Sequence, residues 1–193
     1  MLIETETTPN PATLKFLPGR QVMDMGTRDF ASAEEADASP LAEALFTLGD
    51  VTGVFFGSNF VSVTIAPGSE WTDNKPEVLA TLMEHFSGGM PLFKPGTAAG
   101  ISVPADEATF GDNPEDAEIV EQIRELIETR VRPAVANDGG DIIFKGFDGG
   151  SGTVFLHLQG SCAGCPSSTI TLKNGIENML RHYVPEVTAV ESV

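Results

Sequence analysis

The hydrophobic positions of residues 1–90 repeat with strand-like spacing in some segments and helix-like spacing in others, which predicts a small α/β module. Two β-prone runs flank Gly57-Ser58-Asn59, an arrangement typical of a hairpin. Ser39 followed by Pro40 is typical of a helix cap and a first helical position. The predicted elements are strands at 13–17, 51–56 and 60–65, and helices that begin at Ser39-Pro40 and that cover 75–86.

The hydrophobic pattern of the second half predicts a different order: helix, strand, strand, cysteine-bearing turn, helix, strand. Asn113 and Pro114 are typical of a helix start, and Pro133 is expected to close that first helix. Its apolar stripe consists of Val120, Ile123, Ile127 and Val131. The remaining predicted elements are strands 142–147, 153–158 and 187–190, and a helix 167–183 that turns Ile170, Leu172, Ile176, Met179 and Leu180 inward.

Residues 91–115 separate these two patterns and are rich in proline, glycine and acidic side chains. The segment has no sustained apolar period, which is typical of a linker. We therefore expect an α+β protein of two small domains, 1–90 and 116–193, each a short β-sheet with packed helices. The two domains would be joined by the Pro/Gly-rich linker 91–115.

The charge of the chain excludes several function classes. A formal net charge of −17 disfavours binding to nucleic acid and to anionic membrane surfaces. The sequence has no apolar run of membrane-spanning length and no signal-peptide or Arg-rich transit pattern at its start. These features predict a cytoplasmic protein with neither nucleic acid nor a membrane among its partners.

The two cysteines of the chain, Cys162 and Cys165, lie on one Gly-rich turn that leads into the helix predicted after Pro166. The N-terminal end of a helix stabilises negative charge, so we expect this turn to lower the thiol pKa values. We also expect both sulfur atoms to lie near the surface. The cysteines are the candidate metal-binding and cofactor-binding residues, and the sequence offers no catalytic constellation beside them.

Three kinds of chemistry suit a single CxxC pair. Two thiolates are too few for a tetrahedral metal site or an iron–sulfur cluster, which usually take four protein ligands. The pair therefore acts alone as a redox dithiol, or a second chain supplies two more thiolates to a shared zinc ion or a shared cluster. Ser161 before the first cysteine and two preceding strands disfavour a thioredoxin-like dithiol. The spacing alone does not separate zinc from a cluster.

Other polar residues are weaker candidates. We expect His85 to be a packing or surface residue, His157 to face solvent, and His182 to suit the end of its helix. Asp138 and Asp141 are expected to serve the turn of the Asn137-Asp138-Gly139-Gly140-Asp141 segment, with positive φ at both glycines.

Several motifs resemble a known family. The stretch Asn137–Asp141, the stretch Leu158–Ser168 around the cysteines and the later Leu172-Lys173-Asn174-Gly175-Ile176-Glu177 are similar to the C-terminal domain of NifU/Nfu iron–sulfur scaffold and carrier proteins. Thr8-Pro9-Asn10-Pro11 and Leu14-Lys15-Phe16 resemble the Nfu-type N-terminal domain. The resemblance covers nearly the whole chain except the linker.

The resemblance implies a carrier, not an enzyme. Such a protein would hold a [4Fe–4S] cluster between the two subunits of a homodimer, with Cys162 and Cys165 of each subunit as iron ligands. It would receive the cluster from an upstream donor, or assemble it, and pass it to apo iron–sulfur client proteins. The implied location is the bacterial cytoplasm, or the mitochondrial matrix for a mature organellar form.

Overall fold

The computed structural model describes residues 1–97, 113–163 and 166–193. The chain divides into two compact units, Met1–Val103 and Pro104–Val193, each with its own hydrophobic core. The mixture of helices and sheets in both units confirms the α+β class expected from the sequence. Among the described residues, no helix is both long enough and apolar enough to cross a membrane.

The first unit is built on a five-stranded antiparallel sheet in the order β1-β2-β5-β4-β3. Its strands are β1 (Glu4–Thr7), β2 (Thr13–Leu17), β3 (Arg28–Phe30), β4 (Val51–Phe56) and β5 (Val61–Ile65). Its helices are α1 (Ala33–Ala36), α2 (Pro40–Phe46) and α3 (Trp71–Gly88). The largest fully buried side chains of the core are Phe16, Phe30, Phe56, Leu41, Leu45 and Leu82.

Most elements predicted for this unit are confirmed. The Gly57 N–H donates to the Phe60 carbonyl at 2.9 Å and closes the predicted hairpin between β4 and β5. The Ser39 hydroxyl caps α2 by accepting from the Ala42 N–H. Helix α3 begins earlier than predicted, so Pro76 lies inside it.

The start of the predicted linker is held against the first unit. Leu92 and Phe93 pack against its core, and the Lys94 N–H donates to the Ala38 carbonyl at 2.9 Å. The Lys94 ammonium group lies 2.8 Å from Asp37 and 3.0 Å from Glu43. Residues 98–112 of the predicted linker lie outside the described residues.

The second unit is a three-stranded sheet in the order β6-β7-β8, with its helices packed on it. Strands β6 and β7 are antiparallel, whereas β8 is parallel to β7. The elements are a 3₁₀ turn (Pro114–Asp116), α4 (Ala117–Leu126), a π-helical turn (Ile127–Val131), α5 (Arg132–Asn137), β6 (Gly140–Asp148), β7 (Thr153–Gly160), α6 (Pro166–Tyr183) and β8 (Ala189–Ser192). Ile123, Ile127 and Leu180 are among its buried core residues.

The prediction that Pro133 closes the first helix of this unit is wrong. The helix continues through α5 to Asn137, because a π-helical turn precedes the proline and the Arg132 N–H donates to the Ile127 carbonyl. A π turn is one way in which a helix accommodates a proline, whose ring removes an N–H donor and crowds the preceding turn. The continuation brings the chain to β6 at Gly140.

Two residues predicted to face a core are exposed. Ile170 of α6 is 59% exposed, whereas Ile176 and Leu180 of the same predicted stripe are buried. Met83 of α3 is 41% exposed, whereas Val78 and Leu82 of the same predicted stripe are buried. In both helices, the buried face is narrower than the apolar stripe of the sequence.

Candidate functional site

The candidate site is the turn between β7 and α6. Strand β7 ends at Gly160, which lies opposite Gly140 of β6 and has a φ of +66°. The Ala163 N–H donates to the Gly160 carbonyl at 3.1 Å and continues the turn. Helix α6 then begins at Pro166, so the cysteine segment runs from the end of a strand to the start of a helix.

Cys162 points into the second unit, not toward solvent. Its relative exposure is 6%, and it belongs to the hydrophobic core of that unit. This position corrects the expectation that both sulfur atoms lie near the surface. Cys165 and Gly164, which complete the predicted motif, lie outside the described residues.

Gly140 makes room for Cys162. A Cβ atom at position 140 would stand 2.8 Å from the Cys162 Sγ and 2.6 Å from the Gln159 carbonyl oxygen, which is too close for either contact. Gly140 itself does not have a positive φ, so the expectation of positive φ at both glycines holds only for Gly139, at +83°. Gly140 instead allows the Cys162 sulfur and the Gln159 carbonyl to lie close to its backbone, because a side chain at this position would overlap both.

Burial raises the pKa of the Cys162 thiol to about 11. A hydrogen bond between Ser161 and Cys162 lowers the pKa, and the nearby carboxylates of Asp138 and Asp141 raise it further. The sequence had predicted a lowered thiol pKa from the start of α6. For Cys162 that prediction is wrong, since the cost of placing a thiolate in the core exceeds the gain from polar neighbours.

Hydrogen bonds tie the cysteine turn to both of its neighbours. The Ser161 hydroxyl donates to the Asp138 carbonyl, and the Ser161 N–H donates to the Gly139 carbonyl at 3.3 Å. The Thr169 hydroxyl of α6 donates to the Cys162 carbonyl at 3.0 Å. The Ser161 oxygen also lies 3.9 Å from the Cys162 Sγ. The turn is thereby fixed to the entry of β6 on one side and to the first turns of α6 on the other.

A buried ion pair supports the strand beside the turn. The Arg132 guanidinium donates to both carboxylate oxygens of Asp141, at 2.8 and 2.7 Å. Asp141 is only 2% exposed, and its carboxylate also accepts from the Ile142 N–H. Glu128 contacts the outer side of the guanidinium at 3.0 Å, and the two carboxylates raise the pKa of Arg132 despite its partial burial.

Sequence reasoning missed Arg132 and gave Asp141 only a turn role. Arg132 and Asp141 lie nine positions apart in different elements, so no helical or strand period connects them. One signal was available: Asp141 directly adjoins the apolar run that was predicted to form the strand 142–147, and a carboxylate beside a buried strand usually requires a charged partner.

The three histidines lie in separate environments. The Nδ1 atom of His157 lies 2.7 Å from the Val193 carbonyl oxygen, and the His182 ring lies edge-on to Tyr183 at 5.0 Å. His85 is a buried residue of the first unit, where burial and the nearby Arg20 lower its pKa. Within residues 1–97, 113–163 and 166–193, no three His, Cys, Asp or Glu side chains are grouped closely enough to hold a metal ion.

The fold and site together define a two-unit α+β protein whose second unit carries the buried Cys162 just after strand β7. The family model described as the N-terminal domain of the scaffold protein Nfu/NifU matches residues 3–89. The model of the NifU-like domain matches residues 123–191. The chain therefore belongs to the Nfu/NifU family, as its motifs indicated.

Curated relatives match almost the full chain. It is 50% identical to NifU-like protein 4, mitochondrial, of Arabidopsis thaliana, over 99% of this chain and 65% of that protein. It is 48% identical to the human NFU1 iron-sulfur cluster scaffold homolog, mitochondrial, over 100% of this chain and 72% of that protein. The chain thus spans about two thirds of the length of these relatives. A solved NifU-like protein from Saccharomyces cerevisiae superposes with a TM-score of 0.45 and 24% identity, over 49% of this chain and 86% of that one.

Proposed function

We propose that this protein is an iron–sulfur scaffold and carrier that holds a [4Fe–4S] cluster between two copies of the chain. Cys162 and Cys165 of each copy would supply the four thiolate ligands. The cluster is cargo, received from a donor or assembled in place, and is passed to apo-proteins that need it. The name of the human relative, an iron-sulfur cluster scaffold homolog, supports this role.

The observation that carries the proposal is the placement of the chain's thiols. Cys162 and Cys165 lie three positions apart within the residues that the NifU-like domain model matches, and the sequence contains no third cysteine. The described parts of the chain hold no group of side chains that could complete a metal site with Cys162. A cluster with four thiolate ligands therefore requires two chains, and a cluster held half by each can leave by exchange of ligands at one side.

The environment of Cys162 in the cluster-free chain disfavours a dithiol enzyme. A catalytic dithiol needs an accessible thiolate of lowered pKa, whereas the Cys162 thiol is buried and its pKa is raised. A carrier does not need its thiols to catalyse a reaction. We infer that it is not an enzyme.

The relatives suggest where the protein acts. The names of the Arabidopsis and human relatives both include the word mitochondrial. We propose that the protein works in the mitochondrial matrix or in the cytoplasm of a bacterium, where a reducing environment keeps a CxxC pair available for iron.

Anaerobic reconstitution with iron and sulfide tests the proposal. Expected results are about one cluster per two chains, a Mössbauer spectrum of a [4Fe–4S] centre and a dimer by native mass spectrometry. Cys162→Ser and Cys165→Ser should each lose the cluster, whereas the matched control His157→Gln should retain it. Tight binding of zinc with rejection of iron would support a zinc-bridged module instead, and rapid turnover of dithiol substrates by the monomer would support an oxidoreductase.

A further inference from the structure

One side of helix α6 is exposed and uncharged. Ile170, Asn174 and Asn178 follow one another at intervals of four residues, so they lie on the same side of the helix. All three are exposed, and Ile170 is 59% exposed although it is a large apolar residue. Ile176 and Leu180 lie on the other side of the helix and belong to the core of the second unit. We call the side defined by Ile170, Asn174 and Asn178 the outer face of α6.

The charge of α6 differs from that of the chain as a whole. The sequence contains 28 acidic and 11 basic side chains, but α6 contains one acid, Glu177, and two bases, Lys173 and Arg181. The Glu177 carboxylate accepts from the Val190 N–H of β8 at 3.2 Å and lies 3.6 Å from Arg181. The equally long α3, by contrast, contains three acids and one lysine. A negatively charged molecule can therefore approach the outer face with little repulsion.

The position of α6 in the chain connects its outer face to the cysteine pair. Cys162 and Cys165 precede Pro166, the first residue of α6, in the sequence. Ile170 lies one helical turn beyond Pro166, which is about 6 Å along the helix axis. Two chains that contribute these cysteines to one cluster would bring the starts of their two α6 helices close together.

We propose that the outer face of α6 is the surface through which two copies of this chain meet when they share a cluster. The inference rests on the proposed function for the shared cluster, and on the exposure and charge of α6 for the surface. The contact is isologous, so each copy presents the same face and the Ile170 side chains of both copies lie near a twofold axis. A second copy is the occupant because the two thiols of one chain do not complete the cluster site. The net charge of −17 also favours contact between copies at a face without acids.

The size of the outer face predicts a weak and reversible contact. Each partner in a stable complex usually buries about 800 Å², which is more than one side of a five-turn helix offers. The faces should therefore meet only transiently in the cluster-free protein, and the shared cluster should hold them together. Such a dimer can separate when the cluster leaves, as a carrier requires.

Opposite charges at Ile170 test the surface in the loaded protein. After anaerobic loading with iron and sulfide, dimers of Ile170→Glu and dimers of Ile170→Lys should each dissociate about tenfold more readily, because like charges meet at the axis. A mixture of the two variants should form mixed dimers in preference to either homodimer, as measured by native mass spectrometry. Met83→Glu and Met83→Lys are the matched controls, since Met83 is a 41% exposed apolar residue of α3. They should leave the dimer unchanged and mix in statistical proportion.

Crosslinking tests the same surface without a cluster. With Cys162→Ser and Cys165→Ser the chain has no thiol of its own, so Asn174→Cys places a single thiol on the outer face. Thr129→Cys, at an exposed position of the same unit, is the control. At high protein concentration and with a mild oxidant, Asn174→Cys should form disulfide-linked dimers about fivefold faster than the control, because transient contact raises the local thiol concentration. Both rates are divided by the rate at which each thiol reacts with a small disulfide. Added Ile170→Glu should remove the difference.

The results separate the surface from the function. A loaded dimer whose stability is unchanged by either charge at Ile170, or variants that mix in statistical proportion, would overturn the surface and leave the proposed function intact. Failure of the unsubstituted protein to bind a cluster would refute the proposed function. In that case the crosslinking rates of Asn174→Cys and Thr129→Cys decide on the surface, and equal rates would overturn it.

Discussion

Gly140 and Cys162 lie so close together that a Cβ atom at position 140 would stand 2.8 Å from the Cys162 Sγ, so the buried sulfur requires a residue without a side chain there. This contact connects the Asn137–Asp141 segment to the cysteine turn, two motifs that lie about twenty residues apart in the sequence. This proximity explains why position 140 is a glycine even though its backbone φ is not positive.

Gly140→Ala should push Cys162 out of its position. The added methyl group would overlap the sulfur and the Gln159 carbonyl, so we expect a loss of about 1–3 kcal/mol in the free energy of unfolding. Urea denaturation measures this loss. Gly175→Ala in α6 is the control, because a Cβ there meets nothing within 4 Å and should be neutral or stabilising. Equal free energies of unfolding for the two variants would mean that the structure around Cys162 accommodates the methyl group without a loss of stability.

The Arg132–Asp141 pair should be a major source of stability in the second unit. Asp141→Ala leaves the guanidinium without its buried carboxylate, so we expect a loss of about 3 kcal/mol. Glu128→Gln removes a contact with a half-exposed carboxylate and should cost less than about 1 kcal/mol. Urea unfolding of Asp141→Ala, of Glu128→Gln and of the double variant measures each loss and the coupling energy between the two positions. Similar losses for Asp141 and Glu128 would contradict the assignment of Asp141 as the buried partner.

The cluster-free protein should lose stability in alkaline solution because of Cys162. Its folded-state pKa is raised to about 11, above the usual 9.0. The neutral thiol therefore contributes stability that is complete below about pH 9 and is lost as the pH rises toward 11. The contribution corresponds to about 3 kcal/mol. It is measured as the difference in unfolding free energy between the unsubstituted protein and Cys162→Ala across this range. A difference that does not change with pH would show that the thiol is not buried in solution.

The sequence correctly predicts those elements that contain their own turn or cap motif. The hairpin of β4 and β5 follows from Gly57-Ser58-Asn59, and α2 follows from its Ser39 cap. Strand β1 (Glu4–Thr7) was missed because its residues alternate Glu and Thr and offer no apolar face. Strand β3 (Arg28–Phe30) is too short to show a period.

The sequence proposes the identity of the ligands but did not predict the orientation of Cys162. The positions of Cys162 and Cys165 in the sequence were enough to propose them as ligands, and that proposal still requires the reconstitution experiment. The inward direction of Cys162 depends on the missing side chain of Gly140, and the burial of the Asp141 carboxylate depends on its ion pair with Arg132. Both relationships join separate elements across the fold, so no periodicity within one segment could have revealed them.

The second unit should fold and bind the cluster without the first. Each unit has a separate hydrophobic core. A fragment that begins near Asn113 should therefore unfold cooperatively in urea and load iron and sulfide through its cysteines. The corresponding fragment that ends at Thr97, which retains the contacts of Lys94 with the first unit, is the control and should fold without binding iron. Loss of cooperative unfolding in the Asn113 fragment would show that the two units depend on each other.

Transfer of the cluster should proceed by direct contact with the recipient. Each chain would contribute only two of the four thiolates, so a client thiolate can replace one subunit's ligands while the other subunit still holds the cluster. We expect the loaded dimer to activate an apo [4Fe–4S] protein faster than free iron and sulfide do, and to do so with an iron chelator present. Cys165→Ser, taken through the same reconstitution, is the matched control and should not activate the recipient. Complete suppression of activation by the chelator would indicate release of iron into solution, and the protein would then be a store of clusters rather than their carrier.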